Sequence, residues 1–257
     1  MKLLTTVVLA GLAFSANTQA ASVYAVSVNK ISNFSMVFNG SGSFSGFTFS
    51  NDAAANFDGG AGGVDTLDAP AACVSCSYDN DFVAHSSLTD FAYGDAQILD
   101  TDILGGLGTA SSIAEARESN GVGFAMGSNM LLSVNFNIAT AGTSVSFNFD
   151  SDAYMEASTT GGGSALSNMA MSIVLMDLTG STVWESTPAA LNQTLTSGSY
   201  AFAQNIADGT AALDAGNYSL VIGMSQSVNV SAVPVPAALP LMLSGLLGLF
   251  GLARRRK

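Results

Sequence analysis

Apolar residues recur at every second position through the second half of this chain. That period matches the two faces of a β-strand and not the stripe of a helix. Leu132, Val134, Phe136 and Ile138 alternate with polar residues, and after the turn Ala139 to Gly142 so do Val145, Phe147 and Phe149. Tyr154 to Ala157 extends this pattern past a kink. Ala170 to Asp177 and Ser181 to Glu185 read as a hairpin around Leu178-Thr179-Gly180, and Gly198 to Gln204 as a further strand. A final strand spans Asn217 to Val230, alternating through Leu220, Ile222, Met224, Val228 and Val230.

The first half is less regular. Ser22 to Asn29 reads as an entry strand. Phe34 to Asn39 and Ser43 to Ser50 read as a hairpin around Asn39-Gly40-Ser41-Gly42, whose residues tolerate positive φ. From Asn51 to about Leu88 the chain turns to Asp, Ala, Gly and Ser and loses its period, which predicts a long loop. Phe91 to Leu99 returns to strand. Ser111 to Glu118 is the one segment that reads as a short helix, capped by serine. About nine short strands with Gly, Asn and Ser turns predict an all-β fold, an antiparallel β-sandwich of jelly-roll or immunoglobulin-like type with long Gly/Asp-rich loops.

The two ends differ from this body. Residues 1–20 have a lysine, an apolar run from Leu3 to Phe14 and a small-residue end at Ala20, the pattern of a signal peptide. It predicts passage through the Sec translocon and cleavage by signal peptidase. At the other end, Val233-Pro234-Val235-Pro236 discourages both helix and strand, because proline fixes φ and lacks an amide donor. The uncharged apolar segment 237–253 would reach about 25 Å as a helix, the short edge of a bilayer span. Arg254, Arg255, Arg256 and Lys257 then act as a basic stop that favours the cytoplasmic side. Three regions are therefore expected: the signal peptide 1–20, an exported β-sandwich domain 21–232, and a C-terminal segment 233–257 with a single transmembrane helix.

The tail resembles the C-terminal sorting signal of PEP-CTERM proteins, the exported bacterial substrates of exosortase, in its Val-Pro-x-Pro-Ala variant. Val233, Pro234, Pro236 and Ala237 match the motif, and Val235 stands where an acidic residue is usual. The resemblance covers Val233 to Lys257 alone. It implies cleavage near the proline strip by exosortase, in a Gram-negative bacterium, after transient anchoring in the inner membrane. It also implies a later position at the cell surface or outside, in association with exopolysaccharide or biofilm.

Charge narrows the partners of the body. All 19 acidic residues lie between Asp52 and Asp214, against only Lys30 and Arg117 as body cations, which leaves −17. Such a surface repels nucleic acid and anionic lipid. Cys73 and Cys76 form C-x-x-C, for which an exported chain implies a local disulfide first, then free thiols, then a metal, and redox catalysis last.

Catalytic patterns are sparse. His85 is the only histidine and sits in a polar stretch, and no Gly-x-Ser-x-Gly elbow, phosphate loop or dinucleotide fingerprint occurs. Glu115, Glu118, Glu156 and Glu185 supply carboxylates for glycoside chemistry, but sequence alone places no two of them together. Asp150 and Asp152 follow a well-marked strand in D-x-D spacing, repeated at Asp79 and Asp81 and at Asp100 and Asp102. Such a pair can converge on Ca²⁺, although an acidic solvated turn explains it as well. Trp184 reads as a core or edge aromatic ahead of a sugar platform. The expectation is a non-enzymatic surface or matrix protein without a required cofactor. The alternatives are a carbohydrate- or Ca²⁺-binding adhesin and a secreted glycan-active enzyme.

Overall fold

The computed structural model describes residues 22–57, 63–69, 78–85, 90–99, 109–119 and 121–233. Within them the chain forms β1 (Ser22–Asn39), β2 (Gly42–Phe57), β3 (Gly63–Ala69), β4 (Tyr78–His85), β5 (Phe91–Leu99), β6 (Thr109–Glu118) and β7 (Val122–Ile138). There follow β8 (Ser144–Thr160), β9 (Ser164–Asp177), β10 (Thr182–Ser186), β11 (Gln193–Leu195), β12 (Gly198–Gly209) and β13 (Gly216–Ser231). The only helical element among them is a single 3-10 turn, Ala189–Leu191.

The strands make two antiparallel sheets, as a β-sandwich requires. One has the order β12-β8-β1-β6-β5-β4, the other β10-β9-β13-β7-β2-β3, with β11 also on β9. β13 carries the clearest alternation: Leu220, Ile222, Met224, Gln226, Val228 and Val230 are all buried, and the single residues between them face outward. Each such apolar side chain withdrawn from water stabilises the fold by about 1.5–3 kcal/mol.

The core is graded along the strands. At one end Phe34, Phe136, Phe147, Phe149, Met171, Ile173 and Leu175 fill the space between the sheets. Rings meet there in tilted and edge-on pairs, Phe38 with Phe136 at 5.3 Å and Phe147 with Trp184 at 5.4 Å. At the other end the filling is Ala25, Ala55, Ala92, Ala114, Ala116, Ala125, Ala157 and Ala165 with a few valines. There the sheets come so close that a Cβ added at Gly127 on β7 would overlap the carbonyl oxygens of Asp95 and Ile113. Between the two ends lies a polar belt of buried Ser27, Asn29, Ser112, Ser151, Ser167 and Gln226. Asn29 stands opposite Ser112 on β6, and Gln226 opposite Gly127 on β7 and Met169 on β9. Ser167 Oγ crosses between the sheets to donate to the Val26 carbonyl at 2.7 Å.

Several expectations are corrected. Segment 111–118 is not a helix but most of β6, paired with β1 on one side and β5 on the other. Its Ala and Glu content favours helix, yet Ala110, Ser112, Ala114 and Ala116 recur with period two, and pairing on both sides overrides local propensity. The stretch from Asn51 is not a continuous loop. β2 runs on to Phe57 with Ala53, Ala54 and Ala55 buried, and β3 and β4 follow. Phe34 to Asn39 and Ser43 to Ser50 are not a hairpin, since β1 and β2 lie in different sheets. The Asn39–Gly42 corner instead packs on the β7–β8 corner, with Ala139 N donating to Ser41 O at 2.9 Å and Ser41 N to Thr143 Oγ1 at 3.2 Å. The kink expected before Tyr154 is absent, because β8 pairs with β12 without interruption.

A sandwich joined to a transmembrane helix is likewise corrected to an all-β fold: among the described residues no helix is long and apolar enough to cross a membrane. The span 237–253 to which that helix was assigned lies outside the described residues.

Candidate functional site

Within β1 the buried residues Ile31 and Phe34 are three positions apart, where strict alternation would allow two. One extra residue must therefore be absorbed, and the register with β8 shifts between Ser32 and Ser35. Asn33 takes up the change at φ 54°, a left-handed conformation that asparagine tolerates better than most residues.

The bulge points this amide at β8. Asn33 Nδ2 donates to Asp150 Oδ2 at 2.7 Å, and Asn205 Nδ2, from β12, donates to Asp150 Oδ1 at 2.9 Å. These two bonds, Asn33's first, hold the Asp150 carboxyl below the usual aspartate range. Around it opens a shallow groove of about 350 Å³, lined by Lys30, Ser32, Asp150, Asp152, Ala203, Gln204 and Asn205. Lys30 stands directly opposite Asp152 in the β1–β8 register. The groove thus offers carboxylate acceptors, amide donors and one ammonium within a few residues of each other.

The same outer face continues along β8. Tyr154, 40 % exposed, donates its hydroxyl to Glu156 Oε2 at 2.7 Å. Tyr24 on β1 donates to Glu115 Oε1 on β6 at 2.8 Å. Burial, and then the bond to Glu115, push the Tyr24 phenol well above its ordinary range. The Tyr154 phenol is raised chiefly by its bond to Glu156.

Of the residues singled out in the sequence, Asp150 and Asp152 come together in the groove. Ca²⁺ takes six to eight oxygens, and both Asp150 oxygens already accept amide hydrogens. Among the described residues no group of three or more His, Cys, Asp and Glu side chains is arranged to hold a metal. Glu115 and Glu156 flank Val26 from β6 and β8, two strand spacings or about 9.5 Å apart. Glu118 is buried between the sheets, and Glu185 belongs to the other sheet. Trp184 is half-buried against Phe147, in keeping with a core-edge aromatic. His85 ends β4, paired with Phe91 of β5.

Val233 is exposed just beyond β13. Pro234, Val235, Pro236, Ala237, Arg254, Arg255, Arg256 and Lys257 lie outside the described residues, as do Cys73, Cys76, Asp100, Asp102 and residues 1–20, where a signal peptide was expected. Reading the sequence missed Lys30, Asn33, Gln204 and Asn205. The available signal was the broken spacing Ile31-x-x-Phe34, with asparagine at the break.

Comparisons of this chain with protein-family models, with curated proteins and with solved structures found no match.

Proposed function

We propose that the protein is an exported, non-enzymatic component of the cell surface or extracellular matrix, processed at its C-terminal sorting signal by an exosortase and associated with exopolysaccharide. The observation that carries this reading is the motif Val233-Pro234-Val235-Pro236-Ala237 with its Arg254–Lys257 terminus. The fold is compatible with it. β13 ends at Ser231, Ala232 is buried with its amide bonded to Gly121 O at 2.8 Å, and Val233 is exposed, so the motif begins where the packed body stops. β1 starts at Ser22, just after the cleavage expected behind Ala20. In this reading the chain is held at the inner membrane only until processing. Mass spectrometry of the protein recovered from the cell surface or medium tests it: the expected C-terminus falls near Pro236. A recovered chain that still ends in Arg-Arg-Arg-Lys rules processing out.

A second reading, a carbohydrate-binding module, is favoured by the groove around Asp150. Carboxylates and amides fixed beside one another are the groups that recognise sugar hydroxyls by paired donors and acceptors. A general acid needs a raised pKa, whereas Asp150 is held low, which favours binding over hydrolysis at this carboxylate. Calorimetry with the exopolysaccharide of the producing cells is the test. Asp150→Ala should weaken binding at least about tenfold, and equal affinity in the variant would remove the groove from consideration.

A further inference from the structure

The two sheets end very differently on the side where β12 and β10 lie. The edge of the β9 sheet is broken up. β10 is five residues long, carries Glu185 and slips register between Thr182 and Trp184, while β11 has only three residues. Between them run Pro188 and the 3-10 turn. Short strands, a charge, a bulge and proline are the devices that stop an edge from pairing with another chain.

β12 is long and has neither bulge nor proline, and its one charge, Asp208, lies at its far end. It runs twelve residues, Gly198–Gly209, and pairs with β8 along its whole length without a register shift. From Gly198 to Ala207 it contains no charge and no proline, and its first carboxylate is Asp208. Ser199, Ala201, Ala203, Asn205 and Ala207 are exposed, and β8 is its only strand partner among the described residues. One row of its amides and carbonyls therefore faces away from the sheet.

We infer that this edge pairs with β12 of a second copy of the protein, antiparallel about a two-fold axis. The result is one continuous sheet of twice the width, held by up to about ten backbone hydrogen bonds. The choice of a second copy follows from self-complementarity. An antiparallel twofold sets each edge against itself, and ten uncharged residues, small on the outward row from Ser199 to Ala207, present no like-charge pair there. The symmetry also closes the assembly, because among the described strands the other outer edges, β3 and β4, are short and each carries two aspartates. Repulsion between two bodies at −17 opposes the contact but is screened beyond about 8 Å at physiological salt. Dimerisation must therefore strengthen as salt rises, the reverse of a contact made by opposite charges.

Sedimentation velocity on the protein recovered from the cell surface or medium tests this. The expected result is a monomer–dimer equilibrium that shifts at least about tenfold toward dimer between roughly 0.05 and 0.5 M NaCl. The double substitution Ala201→Glu with Ala203→Glu places carboxylates on exposed positions of the edge. It should leave the protein monomeric over the same range, with circular dichroism and melting temperature confirming that it is folded. A wild-type monomer at roughly 100 μM in high salt, open-ended aggregates in place of a dimer, or a folded Glu variant that still dimerises would each overturn the assignment.

Discussion

Asn33 and Asp150 stand 117 positions apart in the chain, yet the amide of one meets the carboxylate of the other at 2.7 Å because a bulge in β1 turns Asn33 toward β8. Asn205 completes the arrangement from β12. Three adjacent strands of one sheet thus converge on a single carboxylate, which lines the groove between them.

The Asp150 carboxyl should titrate below the reference of about 3.9. Its folded-state pKa is depressed, so any stability it contributes is present above the unfolded value and disappears as pH falls through the folded one. A carboxyl-detected NMR titration measures this directly. Asn33→Ala should raise the midpoint more than Asn205→Ala, in the order of the two hydrogen bonds. A wild-type midpoint at or above the reference contradicts the geometry.

Tyr24 reports from the opposite limb of the pH scale. Its phenol is raised above the unfolded value of about 10, so its contribution is intact below that pH and is lost as pH rises toward the folded value. Ultraviolet titration should show a late component, from Tyr24, that ionises only as the protein unfolds in alkali. Tyr24→Phe should abolish that late component, and Glu115→Gln should bring it earlier. A Tyr24 that ionises with the exposed tyrosines would refute the burial argument.

Two glycine substitutions separate close packing from backbone freedom. At Gly127 an added methyl would overlap backbone of β5 and β6 and sit 2.9 Å from Ser112 Oγ, so Gly127→Ala should cost about 3 kcal/mol or more in urea unfolding. Gly142 has φ +93° but nothing within 4 Å of an added Cβ, so Gly142→Ala should cost only about 1 kcal/mol from strain. Equal effects at the two positions would mean that the sheets do not approach each other as closely as described.

The polar belt yields a less intuitive expectation. Gln226 is fully buried, and neither its Nε2 nor its Oε1 has a hydrogen-bond partner among the described residues. Methionine has nearly the same length and would sit beside Met169 on the neighbouring strand. Gln226→Met should leave stability unchanged or raise it by about 1 kcal/mol, since it removes a desolvation penalty without opening a cavity. A loss of more than about 1 kcal/mol would show that the amide is engaged in the folded protein.

Strand content was legible wherever the strand-forming pattern is local and strongly apolar. Leu220, Ile222 and Met224 announce β13 because a two-residue period needs no knowledge of partners. The alternation of Ala110, Ser112, Ala114 and Ala116 is as regular, but small side chains carry little hydrophobic contrast, and the segment reads as helix. Alanine suffices there because the facing sheet comes close, a fact of tertiary packing.

The groove follows the same division. Asp150 and Asp152 were visible as a D-x-D pair but read as a turn after a strand, whereas β8 runs through both and the donors that set Asp150's charge come from β1 and β12. Alternation in the chain by itself determined that the body is antiparallel β-structure, and which side chains of its strongest strands face inward. Tertiary structure alone decided that the Asn39–Gly42 corner crosses between sheets, that the core narrows from phenylalanine to alanine, and that Asn33 meets Asp150. The physical reason is range: side-chain period is set residue by residue along a strand, while partner choice and sheet spacing depend on burying two faces against each other at once.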